Sequence, residues 1–360
     1  MNWFSVLYRG ETKISFVGQR ERWFKASAVV LAICILSLGL QGLNLSIDFR
    51  GGLALDTPNP AGASVGDVRD ALAPFGLEDA RVLEIDEGTS LRVQAEAVDL
   101  DTELALVQAV TEVAGATLEA TSLESVGPTF GAEIARRAVI ALLVFIGVVV
   151  VFISIRFEWK MALGAITALG HDLLITFGAY SILRFEVTPA TVVAILTILG
   201  YSLYDTVVVF DKIKENVEEY GETMTYSAIV DLSMNQVLAR SIITSLTSLL
   251  PVGSLLFIGS MLLGAGTLRD FALALFVGIA AGTYSSMFIA SLLLAKWKEG
   301  EEEWSRRSYR VGKKEAASPG VRPASPTPST SSSAPKRLSS KGQKSGAGGA
   351  TPRPPKKGRR

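Results

Sequence analysis

The sequence predicts a polytopic α-helical membrane protein with six spans and one extracytoplasmic α+β domain. Three observations predict it. Hydrophobic residues make up 49% of the 360-residue chain and its mean hydropathy is +0.35. Six segments reach or approach the roughly 20 apolar residues that cross a ~30 Å hydrocarbon core. They are residues 24–43, 138–155, 161–183, 190–210, 241–259 and 271–295. Finally, the formal net charge of zero sums two opposed pools. Residues 44–135 hold 17 acids against 4 bases, whereas residues 296–360 hold 17 bases against 5 acids.

The order of elements follows from these pools. Helices are expected for the spans because lipid leaves no water to satisfy backbone groups. The first segment reads as a span rather than a cleavable leader, being long and lacking a convincing cleavage site. Arg9, Lys13, Arg20, Arg22 and Lys25 flank it, and basic flanks stay cytoplasmic. The expected division is a cytoplasmic segment 1–23, a first span 24–43, an extracytoplasmic domain 44–135, spans two to six within 136–295, and a basic disordered cytoplasmic tail 296–360. The loops "RFEWK" (156–160) and "DKIKENVEEY" (211–220) are expected inside. "RFEVTP" (184–189) and the turn at 264–269 are expected outside.

Within 44–135, "LALDT" reads as a strand. "SVGDVRDALAPFG" reads as a helix with Ser64 as N-cap and Asp67 three residues on. "ARVLEI" and "SLRVQAEAV" alternate as a hairpin around "DEGT". "DTELALVQAVTEVAG" is an amphipathic helix stopped by Gly115, and "ATLEATSLESV" is a last strand. The order βαββαβ is the split, ferredoxin-like pattern. The tail beyond about residue 316 is rich in Ser, Pro, Gly, Ala and bases, and has too little apolar surface to fold. Its bases are suited to anionic membrane lipid or ribosomal RNA, but a solvated tail that reinforces topology is the favoured reading, and no specific nucleic-acid partner is expected.

A single cysteine, Cys34, rules out an intrachain disulfide and a metal site built on several thiolates. No phosphate loop is visible, and no metal, cofactor or enzymatic activity is expected. The chemistry points instead to ionisable residues inside spans, which face a bundle interior and commonly serve transport. Asp172 lies mid-way along the third span, beside His171, the only histidine. Asp205 lies in the inner part of the fourth, and Arg240 opens the fifth. Adjacent helical residues point about 100° apart, so His171 and Asp172 are not expected to pair. His171 is expected to be a structural hydrogen-bonder. Asp205 and Arg240 are the expected pair, since a long arginine side chain can reach the depth of Asp205. Ser241, Thr244 and Ser248 form a hydroxyl stripe beyond Arg240. Gly278 and Gly282 have the G-x-x-x-G spacing of a close helix contact.

"GYSLYDTVVVFDKIKEN" (200–216), "IDFRGG" (47–52), "VGPTFGAEI" (126–134), "MNQVLARSIITSLTSLLP" (234–251) and "LRDFALALFVGIAAGTYSSMFIA" (268–290) resemble, in order, the motifs of the SecF family of bacterial protein-export subunits. The chain departs from that pattern at Tyr204, where the family usually has Asn, and at Arg50, often Thr. The resemblance implies a six-span bundle of the resistance–nodulation–division type. It also implies a SecD-like partner, a SecYEG-type channel and an exported, unfolded polypeptide as client. Proton flow through Asp205, with Arg240 as switchable partner, would drive the outer domains. Three other readings compete: a proton-coupled small-molecule or lipid exporter of the same superfamily, an intramembrane aspartyl protease, and a passive scaffold. The single small domain argues against the exporter, which usually carries two bundles. "LGHD" at Asp172 lacks the G-x-G-D arrangement of the protease. The scaffold requires Asp205 to be replaceable by Asn.

Overall fold

A computed structural model describes residues 12, 14–78, 80–85, 88–259 and 266–317. Of the expected turn at 264–269, residues 264 and 265 lie outside these described residues, whereas 266–269 are not a turn but the first residues of the last long helix; the tail from 318 lies wholly outside. Six helices among them are long and apolar enough to cross a membrane. They are α1 (Arg20–Gln41), α5 (Pro128–Arg156), α6 (Trp159–Leu183), α7 (Pro189–Tyr220), α8 (Tyr226–Ser254) and α9 (Gly266–Ser285), the last continued through a π-helical turn at Ser286–Ala290 into α10 (Ser291–Glu299).

Between α1 and α5 the chain forms β1 (Asn44–Leu45), α2 (Ile47–Arg50), β2 (Gly52–Pro58), α3 (Val65–Leu72), β3 (Arg81–Ile85), β4 (Ser90–Ala95), α4 (Leu100–Ala114) and β5 (Ser122–Val126). The main sheet has the order β3-β4-β2-β5, with every neighbour antiparallel. This is the split βαββαβ topology the sequence predicts. Alternation places Leu53, Leu55, Leu91 and Val93 on the covered face, where they pack with Val68, Leu72, Leu106 and Val110 from the two helices. Ser64 caps α3 through a capping box with Asp67, and Asp99 caps α4 through Thr102.

Local structure departs from the sequence reading in four further places. "ATLEATSLESV" is a strand only over Ser122–Val126, because a 3-10 turn at Leu118–Ala120 precedes it. α5 begins at Pro128, inside the stretch assigned to the small domain. Proline is suited to a first helical position, and Glu133 staples the opening turns to Arg136 and Arg137. "DKIKENVEEY" is not a loop but the end of α7. Its Asn216 donates to Ser233 and Gln236 of α8, which turns the segment into one arm of a helical hairpin. Finally, residues 296–317 are not disordered. α10 runs to Glu299, and α11 (Glu302–Ala317) follows. Trp304 of α11 is buried edge-on against Tyr226, 4.8 Å between ring centres.

Two motifs that are far apart in sequence meet at the junction of domain and bundle. A Cβ on Gly51 would come within 2.5 Å of the Pro128 backbone, and one on Gly131 within 2.8 Å of the Gly51 nitrogen. Gly51 and Gly52 also have φ of 76° and 132°, a region that disfavours side chains. β1 pairs in parallel with β6 (Glu186–Val187), tying the loop after α1 to the loop after α6. Arg81 bonds Asn44, and Gln94 bonds Glu186. The domain is therefore seated on the helix ends by backbone contact and polar side chains.

Within the bundle the apolar cores of α6, α7 and α9–α10 are 56%, 44% and 67% buried, against 11% for α1 and α5 and 17% for α8. Three helices thus form the centre, and three present apolar faces outward. Gly278 and Gly282 explain the tight centre. A Cβ on the first would lie 2.3 Å from Ile198, and on the second 2.9 Å from Ser202. The close contact expected from their spacing is between α9 and α7.

Candidate proton-relay site

Asp205 sits midway along α7, since the helix continues to Tyr220. It is 6% exposed. Its Oδ1 accepts a hydrogen bond from Ser241 at 2.9 Å, while its Oδ2 has no hydrogen-bond partner. A buried carboxylate oxygen without a donor is an expensive group, and one that invites a proton.

Arg240 does not open the fifth helix. α8 begins at Tyr226, so Arg240 lies near its middle. Nor does it form an ion pair with Asp205 among the described residues. Its Nη2 donates to the Tyr204 hydroxyl at 2.7 Å, and its guanidinium lies 5.9 Å from the Tyr204 ring. The expected partners are therefore neighbours without direct contact. The cause is the phenol of Tyr204, next in sequence to Asp205, which competes for the guanidinium. Tyr204 is 55% exposed, and Arg240 is exposed too, on the outward surface of the bundle.

The hydroxyl stripe differs from expectation as well. Ser241 faces inward, but Thr244 bonds back to the carbonyls of Arg240 and Ser241, and Ser248 is only half-buried. The inward partner of Ser241 is Ser245, one full turn on, which bonds Thr283 of α9 at 2.7 Å. Positions i, i+3, i+4 and i+7 all share one helix face, so spacing alone does not choose Ser245 over Thr244 and Ser248; the neighbouring helix does.

Asp172 is completely buried in α6. Its Oδ2 accepts from Ser202 of α7 at 2.6 Å and from Ser285 of α9 at 2.8 Å. Its Oδ1 faces His171 Nδ1 at 3.2 Å, so the two adjacent residues do pair. Their Cα–Cβ vectors diverge, but both side chains have enough torsional freedom to turn back toward each other. The His171 ring also stacks on Tyr284, 5.9 Å between centres. A further hydroxyl pair, Thr206 and Ser286 at 2.8 Å, joins α7 to the π-helical turn. Ser202, Ser285, Ser286 and Thr206 were not singled out in the sequence, because isolated serines in a membrane helix mark no particular neighbour.

The arrangement places two buried carboxyls on neighbouring central helices, each held by serine hydroxyls from other helices, with one guanidinium near Asp205. Among the described residues, no group of three metal-ligating side chains gathers.

Comparison with known proteins gives concordant results. Residues 106–300 match the family described as protein export membrane protein SecD/SecF, C-terminal. The protein translocase subunit SecF of Streptomyces coelicolor is 42% identical over 312 residues, covering 86% of this chain and 83% of that one. The SecF of Haemophilus influenzae is 34% identical, covering 76% and 83%. The crystal structure of SecDF, a translocon-associated membrane protein from Thermus thermophilus, superposes with a TM-score of 0.73 at 35% identity. It covers 81% of this chain, which spans 39% of the longer SecDF chain. With its six apolar helices, its inserted split-βαβ domain and these matches, the chain is a multi-pass membrane protein that belongs to the SecF family of protein translocase subunits.

Proposed function

We propose that this protein is an accessory subunit of the bacterial protein-export machinery, coupling the proton gradient to late-stage movement of exported polypeptides. Asp205 carries the reading. It is buried at mid-helix, half satisfied by Ser241, and free of any fixed ion pair. A permanently paired carboxylate would stay charged. A carboxyl in a dry site beside a movable guanidinium has two accessible states. Arginine stays protonated throughout, so its position is the variable. Held by Tyr204, it leaves Asp205 room to take up a proton. Brought against Asp205, it favours the carboxylate and proton release. One charge crossing 100 mV is worth ~2.3 kcal/mol, enough to bias a two-state helix rearrangement.

The exposed Tyr204 and Arg240 support a partner on that face. A guanidinium facing hydrocarbon costs at least ~2.5–3.5 kcal/mol, which is avoided when other helices cover it. The relative named SecDF carries this family's fold within a longer chain. A SecD-like subunit is the occupant this supports. The basic flanks support cytoplasmic termini in the bacterial cytoplasmic membrane. The βαββαβ domain then stands outside, where it meets polypeptide leaving a SecYEG-type channel.

The test is late-stage export into vesicles with an imposed proton gradient. The wild-type protein with its partner is expected to be stimulated by the gradient. Asp205→Asn keeps size and most hydrogen bonding but has no proton to release. It is expected to insert normally and export at the unstimulated rate. Gradient-stimulated export at the wild-type rate by Asp205→Asn would overturn the reading.

A further inference from the structure

We infer that Asp172 is a second proton-binding site, in which protonation loosens the grip of α9 on the other two central helices. Alternative hydrogen bonds surround its carboxyl. His171 Nε2 is buried without a partner. A bare lone pair is easier to bury there than an N–H, so the imidazole proton belongs on Nδ1 and is donated to Asp172 Oδ1. The charged carboxylate thus accepts three donors, from His171, Ser202 and Ser285. Two of them, on different helices, share one oxygen. Charge-assisted bonds of this kind are about twice as strong as neutral ones, and together they tie α6, α7 and α9 at one point.

The same heavy atoms serve the neutral acid. Ser285 Oγ also lies 3.2 Å from the Gly282 carbonyl. When a proton from the aqueous side of the gradient binds Oδ2, the new O–H donates to Ser285 Oγ. The Ser285 hydroxyl then turns to Gly282, and Ser202 continues to donate to Oδ2. One proton is gained, no donor is orphaned, and the charge-assisted link from α9 becomes a neutral one. Helical serines commonly bond a carbonyl three or four residues back, so this second acceptor is in place whichever state the carboxyl holds.

The surroundings favour a switch at this point. Ser285 is the last residue before the π-helical turn Ser286–Ala290, a type of irregularity that recurs at functional sites. Gly282 packs directly on Ser202, so any shift of α9 is felt by both donors. The other titratable groups nearby are His171 on the same helix, Tyr284 of α9 stacked on it, and Asp205, one turn along α7 from Ser202. α1 contributes Cys34, packed at Gly178. Among the described residues, the group within ion-pair distance of Asp172 is the neutral His171 imidazole.

This inference adds a second site to the proposed proton coupling, but its test does not depend on export. In the full-length protein reconstituted in lipid, difference infrared spectroscopy across a pH series reads protonated carboxyl groups directly. The expected result is a titrating C=O band that Asp172→Asn removes and Asp205→Asn leaves in place. Ser285→Ala removes one donor to the charged form while keeping the carboxyl. Its band is expected to persist to higher pH, by about tenfold in proton concentration. A titration superimposable on wild type in Asp172→Asn would overturn the inference. Should that variant fail to insert, an unshifted band in Ser285→Ala would overturn it equally. Loss of gradient-stimulated export in wild-type vesicles would count against the proposed function and leave the infrared result untouched.

Discussion

Tyr204 decides how the site is set at rest. Its hydroxyl holds Arg240 away from the carboxyl one residue further along α7. A neutral phenol in the same place could not do so if it lost its oxygen. Tyr204→Phe is expected to release the guanidinium toward Asp205, at a cost of about 1 kcal/mol for the lost bond. Gradient-stimulated export should fall, while basal export and insertion stay unchanged. Arg240→Met leaves no cation to switch and should behave like Asp205→Asn in the same vesicle assay. Wild-type stimulation in Arg240→Met would show that Asp205 titrates without it. From sequence, the intramembrane acids and the arginine stand out because charge is rare at that depth. Which hydroxyl or phenol meets which carboxylate does not stand out, since each contact joins residues on different helices.

At the scale of the element, the α7–α9 contact rests on two glycines. Gly282→Val would push against the Ser202 side chain, which already lies within 2.9 Å of where a Cβ would be. Overpacking of this kind typically costs 1–3 kcal/mol. The expected outcome is a lower melting temperature in detergent and displacement of Ser202 from Asp172. A melting curve identical to wild type would show that the helices have slack. The small domain offers a pH test. The Ser64 hydroxyl and backbone hold the Asp67 carboxyl below its ordinary range, and Thr102 does the same for Asp99. A carboxyl with a lowered folded-state value contributes stability above its unfolded value and loses it as pH falls through the folded one. The domain is therefore expected to lose cap stability on acidification below about pH 4. In Asp67→Asn, thermal melts should show a shallower dependence on pH in that range. An unchanged dependence would remove the cap from the explanation.

For the whole molecule, two outcomes follow from the charge asymmetry and the domain's own core. Membrane-impermeant thiol labelling of intact cells should reach Glu119→Cys in the small domain and miss Ser331→Cys in the tail. The reverse pattern would invert the topology. Leu53, Leu55, Leu106 and Val110 give the domain a core separate from the bundle. A 52–126 fragment is therefore expected to melt cooperatively with mixed α/β circular dichroism, and Leu106→Ala should destabilise it by about 2–5 kcal/mol. A random-coil spectrum would mean that the domain needs its seat on β1, β6 and Glu186.

The sequence by itself determined that six helices cross a membrane, that a βαββαβ domain interrupts them, and that Asp172, Asp205 and Arg240 carry the unusual charge. Each of those follows from local composition and periodicity: apolar run length, two-residue and 3.6-residue repeats, and the expense of burying a charge. The tertiary structure alone decided that Arg240 rests on Tyr204, that His171 turns onto Asp172, and that Ser202 and Ser285 share one carboxylate oxygen. It also decided that α11 folds back, because Trp304 finds Tyr226 some eighty positions earlier. Those outcomes depend on distances of a few ångströms between helices far apart in the chain. Helix periodicity says which way a side chain points, but only packing says what it meets.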